Sequence, residues 1–225
     1  TTIGTTALAG NTYSWSPSTG LSATNVAQPV SSASSTITYT VTVTGSNGCT
    51  ATDVITVTVN TTPPTANAGP DKNLNCAITS STIGTAASAG NTYSWSPATG
   101  LSATNIAQPL ASPTQTTTYT VVVTGANGCT ATDEVTVFVD LTAPTVDAGP
   151  DKDLNCTTTS ASIGTVAIPG YTYSWSPSIG LNSVLAAQPM ASPTSTTSYT
   201  VTVTGTNGCT ATDVVIVNVN TTPPT

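Results

Sequence analysis

The sequence YSWSP occurs three times, at Tyr13, Tyr93 and Tyr173, with 80 residues between successive copies. Two further motifs keep the same period: IGT at Ile3, Ile83 and Ile163, and NGCTATD at Asn47, Asn127 and Asn207. A long, exact period means tandem copies of one folded unit, and this excludes a single large domain built around one pocket. Each unit of about 80 residues can bury only a modest core and would gain from a covalent staple.

Proline-bearing segments mark the joints: Thr61–Thr65 (TTPPT), Leu141–Thr145 (LTAPT) and Thr221–Thr225 (TTPPT). Proline cannot donate to a sheet ladder and stiffens the chain where it stands. The expected domains are residues 1–62, 66–142 and 146–222, with linkers 61–65, 141–145 and 221–225. Thr1 aligns with Ser81, so the first repeat is expected to lack its initial strand, and the chain reads as a slice of a longer array.

Within a repeat the pattern is that of strands. Ile37, Tyr39, Val41 and Val43 alternate with threonines, the period-two signature of a half-buried strand. An Asn-Gly turn at Asn47–Gly48 leads into a second such run, which predicts an antiparallel hairpin. Tyr93 and Trp95 share a face of a further strand ended by Pro97. The IGT and GPDKNLNC segments supply two more, with a short strand near Ala107–Ala111. Helical periodicity is absent. The predicted fold is all-β, a tandem array of immunoglobulin-like or PKD-like β-sandwiches. Trp15, Trp95, Trp175, Tyr39, Tyr119 and Tyr199 are its expected core aromatics. Ten-residue strands would give each domain a length of roughly 35 Å.

Roughly a third of the chain is Thr or Ser, which fits either a glycosylated stalk or strands with a hydroxylated outer face. The alternation with Val, Ile and Tyr favours strands. With two Lys or Arg, nine Asp or Glu and a net charge of −7, the chain is not expected to bind nucleic acid or acidic membranes. No apolar run approaches a membrane span.

Complete repeats carry two cysteines 53 residues apart, which predicts disulfides Cys76–Cys129 and Cys156–Cys209 and leaves Cys49 unpaired by truncation. Each would tie the first strand to the final hairpin and contribute roughly 2–4 kcal/mol. Two cysteines per repeat without histidine do not make a zinc site. Disulfides imply an oxidising, extracellular setting.

No catalytic set is expected. Histidine is absent, and the adjacent pair Asp133–Glu134 would point to opposite faces of a strand. The Tyr-x-Trp pair reads as core, with an aromatic platform for sugars as the alternative. Asp140, Asp147 and Asp151 could offer oxygens to calcium at a joint, but acids beside Gly-Pro also serve turns. No other cofactor is expected. Lys72 and Lys152 stand beside these acids, but an isopeptide cross-link is the weaker reading of them. Threonine ladders in a twisted sandwich do not suit ice binding. Asn60, Asn155 and Asn220 head glycosylation sequons.

The run Y-x-W-S-P-x-x-G-L-S at Tyr93, followed by T-Y-T-V-x-V-T-G-x-N-G-C-T-A-T-D at Thr118, resembles the PKD-like and immunoglobulin-like repeats of giant secreted cell-surface proteins of Bacteroidota, including gliding-motility adhesins. It departs from the PKD pattern after Trp95, where Ser96–Gly100 replaces an acidic, glycine-rich turn. The resemblance implies a bacterial, extracellular or cell-surface spacer or adhesive role and no catalytic residues. The expected function is a stiff adhesin stalk. The alternatives are a filament or sheath subunit with laterally or end-to-end associated repeats, and a carbohydrate-binding module. The expected partners are neighbouring repeats, with further copies or surface glycans as alternatives.

Overall fold

A computed structural model of the chain describes residues 1–222, so Pro223–Thr225 of the third linker lie outside the described residues. The described residues form fifteen strands and no helix. By contact they cluster into two compact units. The first holds Thr1–Thr65 with Ala89–Asn91 and Val123–Ala131; the second holds Ala66–Ser88, Thr92–Val122 and the chain from Thr132 onward.

The first unit contains β1 (Thr12–Ser16), β2 (Ile37–Thr44) and β3 (Thr50–Val57), which pair as one antiparallel sheet in that order. Trp15 stands opposite Val41, and Tyr39 opposite Ile55. Because side chains alternate across a strand, Tyr39 turns inward while Thr38 turns out and shares a 2.8 Å hydroxyl bond with Thr56. The core is small: Ile3, Trp15 and Tyr39, flanked by Leu21, Ile37, Val41 and Val57.

Six strands follow from the second repeat: β4 (Lys72–Asn75), β5 (Ser81–Thr82), β6 (Thr92–Ser96), β7 (Leu110–Ala111), β8 (Thr117–Thr124) and β9 (Thr130–Asp140). The third repeat gives β10 (Lys152–Leu154), β11 (Ala161–Ser162), β12 (Thr172–Ser176), β13 (Met190–Ala191), β14 (Thr197–Thr204) and β15 (Thr210–Val219). The two repeats share one topology. Large sheets run β4-β9-β8-β6 and β10-β15-β14-β12, and small sheets β5-β7 and β11-β13. The core of the third repeat lies between its two sheets. Ala191 of the small sheet shares one buried cluster with Leu154, Trp175, Tyr199, Val201, Val203, Val215 and Val217 of the large one. Each fully buried valine contributes about 1.5–3 kcal/mol.

The hairpins β2–β3 and β14–β15 are antiparallel, as the Asn-Gly turns require. The first strand of a complete repeat behaves differently: β10 lies parallel to β15, with Lys152 opposite Val217 and Leu154 opposite Val219. β4 lies on β9 in the same register, from Lys72–Val137 to Asn75–Asp140.

The segment leading into that strand is pinned by backbone polar groups. Ala148 donates its N–H to Asp213 Oδ2, and its carbonyl accepts the N–H of Gly164 in the IGT motif, both at 2.8 Å. Gly164 has φ +79°, and a Cβ there would overlap the Ala187 carbonyl oxygen and press on the Trp175 ring. Only glycine satisfies both constraints.

Candidate functional site: the cysteine-clamped junction

The candidate site lies where the second repeat meets the third. At the end of β4, Asn75 Oδ1 accepts the N–H groups of Ala77 and Ile78 at 2.9 and 2.8 Å, folding a tight turn that presents Cys76. In the third repeat Asn207 Oδ1 accepts the N–H of Cys209 at 3.1 Å and shapes the β14–β15 turn. The two turns meet. Cys76 and Cys209 form a disulfide with Cα atoms 4.9 Å apart. Gly208 permits the approach, because a Cβ there would sit 2.7 Å from that of Ala77.

Asn207 also engages the linker, since its Nδ2 donates to the Thr142 carbonyl at 2.9 Å. Pro144 is buried beneath this turn, against Gly205. Asp140 closes the far side by accepting the Thr142 N–H at 3.0 Å. That N–H, then the Thr142 hydroxyl and the Asn207 amide, hold its carboxyl below the usual aspartate range. The same turn-to-linker bond recurs in the first unit. There Asn127 Nδ2 donates to the carbonyls of Thr62 and Asn60 at 2.9 and 3.2 Å.

This corrects the expected pairing. Spacing within a repeat predicts Cys76–Cys129 and Cys156–Cys209, whereas Cys76 bonds Cys209, and Cys129 and Cys156 are free thiols, as is Cys49. The cause is the parallel first strand. Cys156 follows β10 at the Val219 end of β15, while Cys209 precedes Thr210 at the other end, about 33 Å away for ten residues. A disulfide spans Cα separations of only about 4.4–6.8 Å. Cys76, at the Asp140 end of β9, therefore faces the following repeat. The bonded separation of 133 residues is one full period beyond the expected 53. Asn75, Asn207 and Gly208 were missed as site residues. The motif N-G-C carried the signal, because its asparagine side chain has both a turn N–H and a linker carbonyl to satisfy.

The other candidates sit elsewhere. Trp15, Trp95 and Trp175 are at most 5% exposed, and their Nε1 groups donate to the carbonyls of Val26, Ile106 and Ala186, each at 2.9 Å. Tyr39, Tyr119 and Tyr199 are fully buried and donate to Thr19, Thr99 and Ile179 carbonyls at 2.6 Å. With its indole inside, the Tyr-x-Trp pair offers no flat platform to a sugar.

Asp147 accepts the Gly149 N–H, and Asp151 the Ile216 N–H, both at 2.8 Å. These acids serve the backbone. Among the described residues, no three acidic, cysteine or histidine side chains converge as a metal site. Asp133 and Glu134 diverge, the first to the Ala68 N–H and the second to the outward Thr120 hydroxyl.

No protein-family model and no curated protein matches the sequence. Solved structures resemble its fold at low identity. Extracellular domains 3–5 of Drosophila OTK give 12% identity and a TM-score of 0.38 over 94% of this chain and 86% of that one. Mouse cadherin-23 EC22-24 gives 13% and 0.40 over 95% and 87%. A three-Ig structure of titin gives 11% and 0.40 over 97% and 91%.

Proposed function

We propose that this chain is a non-catalytic, extracellular repeat region acting as a stiff, force-bearing stalk of a large cell-surface adhesin, as its resemblance to gliding-adhesin repeats suggests. Each repeat, at 1–62, 66–142 and 146–222, is an immunoglobulin-like or PKD-like domain of it. The observation that carries this reading is the Cys76–Cys209 disulfide, which joins neighbouring repeats.

Such a bond changes how tension travels. When the chain is pulled from its ends, force crosses from Cys76 to Cys209, and residues 77–208 leave the load path. In an array bonded this way throughout, Cys156 pairs with the hairpin cysteine of a following repeat. The shortest covalent path is then 27 residues for every two 80-residue periods, the spacing from Cys129 to Cys156. The turn-to-linker bonds of Asn127 and Asn207 limit bending before any such load is reached.

Single-molecule stretching tests the proposal. Reductant is expected to release an additional contour of roughly 480 Å, from residues 77–208 at about 3.6 Å each. Equal contour lengths with and without reductant would overturn it.

Lateral association into a filament is the second reading, favoured by exposed Val54, Phe138, Val214 and Ile216 on outward strand faces. Electron microscopy separates the two, since a stalk stays single and a filament bundles.

A further inference from the structure

The repeats are close copies, so the positions where one departs from the others carry information. Three departures fall around the junction of the second and third repeats. Phe138 stands where the other repeats have Thr58 and Asn218, Asp140 where they have Asn60 and Asn220, and Tyr171 where they have Asn11 and Asn91. Two clefts of about 340 and 270 Å³ open there and adjoin, since Asp140 and Asn207 line both. Phe138 lines the first and Tyr171 the second.

Phe138 and Asp140 lie two residues apart on β9 and so share its outward face, where Phe138 is 46% exposed. Asn73 of β4 stands opposite Phe138. In the third repeat the corresponding pair closes on itself, Asn218 Nδ2 donating to Asp153 Oδ1 at 3.0 Å. With phenylalanine in place of that asparagine, the Asn73 amide has no such partner, and it lines the cleft with two donors and an acceptor. Thr116 Oγ1 accepts the Val139 N–H at 3.1 Å, which leaves its own proton to donate. Asp140 accepts the Thr142 N–H through one oxygen, so lone pairs of its carboxylate stay open to a ligand hydroxyl. Thr206 adds a hydroxyl on the Tyr171 side.

We propose that this double cleft binds a neutral disaccharide, with one sugar ring against Phe138, the other against Tyr171, and hydroxyls on Asp140, Asn73 and Thr116. A pyranose presents an apolar C–H face and a rim of hydroxyls that each donate and accept. It therefore calls for an aromatic ring flanked by mixed amide, hydroxyl and carboxylate groups. Asp140 and the net charge of −7 select against an anionic sugar. A cationic amine would suit the carboxylate and the rings, but it would leave the amide and hydroxyl donors without acceptors. The site is built from the second and third repeats alone.

Saturation-transfer NMR on the 225-residue chain, with cellobiose, maltose, lactose, mannobiose and N,N′-diacetylchitobiose in turn, tests this. At least one is expected to take up saturation, most strongly at the C–H protons of its ring faces. Phe138→Asn, Tyr171→Asn and Asp140→Asn each install the residue of another repeat. The turn bond of Asp140 survives such a change, since Asn60 accepts the Thr62 N–H in the same way at 3.0 Å. Each variant is expected to keep the parent Tm and to bind that sugar at least about fivefold more weakly in competition titrations. Saturation of none of the five sugars, or equal binding by the three variants, would overturn the proposal. So would saturation of tetramethylammonium with no sugar bound, which would assign the cleft to a cation.

Discussion

The backbone N–H of Ala148 bonds Oδ2 of Asp213 at 2.8 Å, across 65 residues of sequence. One carboxylate thereby pins the segment ahead of β10 onto β15. That bond, and then the Val214 N–H, hold the Asp213 carboxyl below the usual aspartate range.

A depressed carboxyl stabilises the fold above its unfolded value near 3.9, and the gain is lost as pH falls through the folded value. Asp213→Asn is expected to lower Tm at pH 7 by a few degrees. The difference from the parent chain should shrink as pH falls below the usual aspartate range. Thermal denaturation of both chains across pH 2–7 checks this; a difference independent of pH would contradict it.

Tyr199 gives the opposite sign. Burial raises its phenol above 10, partly offset by the Thr197 hydroxyl. Its contribution is full below the unfolded value and lost as pH rises through the folded one. Unfolding is expected to begin at alkaline pH as Tyr199 and Tyr119, raised by the same burial, ionise. Tyr199→Phe, which removes the bond to Ile179, is expected to cost about 1–2 kcal/mol at pH 7 by denaturant titration.

The IGT glycine makes a steric prediction. Gly164→Ala adds a Cβ against the Ala187 carbonyl and the Trp175 ring at positive φ, so a loss above about 2 kcal/mol is expected. Gly48→Ala, also at positive φ but with nothing within 4 Å, should cost only about 1 kcal/mol. Equal losses in denaturant titrations would show that backbone strain alone decides.

The junction cysteines should behave as a pair. A 133-residue loop removes about 5 kcal/mol of unfolded-state entropy if the full term is realised. Cys76→Ser, Cys209→Ser and reduction of the parent chain are expected to lower Tm equally and without adding to one another. Cys129→Ser should leave Tm unchanged. A loss with Cys129→Ser equal to that with Cys76→Ser would point to pairing inside the repeat.

Strand faces were legible in the sequence because each rests on a local rule. From Ile37 to Thr44 and from Thr197 to Thr204, alternation alone says which side chains turn inward. Strand direction was not. β10 has three residues between a Gly-Pro turn and an Asn-Cys turn, and Leu154 fits a parallel or an antiparallel neighbour equally well. The direction is set by contacts distant in sequence, Asp213 with Ala148 and Ile216 with Asp151. With it went the cysteine partner, since reversing the strand would move Cys156 to the other end of the sheet. The closing strand of the first repeat shows the same dependence. Its sequence alternates through Val59, yet β3 ends at Val57.

Non-reducing peptide mapping by mass spectrometry, with free thiols blocked before digestion, reads the junction disulfide most directly. One cross-linked species joining the Cys76 and Cys209 peptides is expected, with Cys49, Cys129 and Cys156 recovered as blocked thiols. Recovery of Cys76–Cys129 together with Cys156–Cys209 would contradict it.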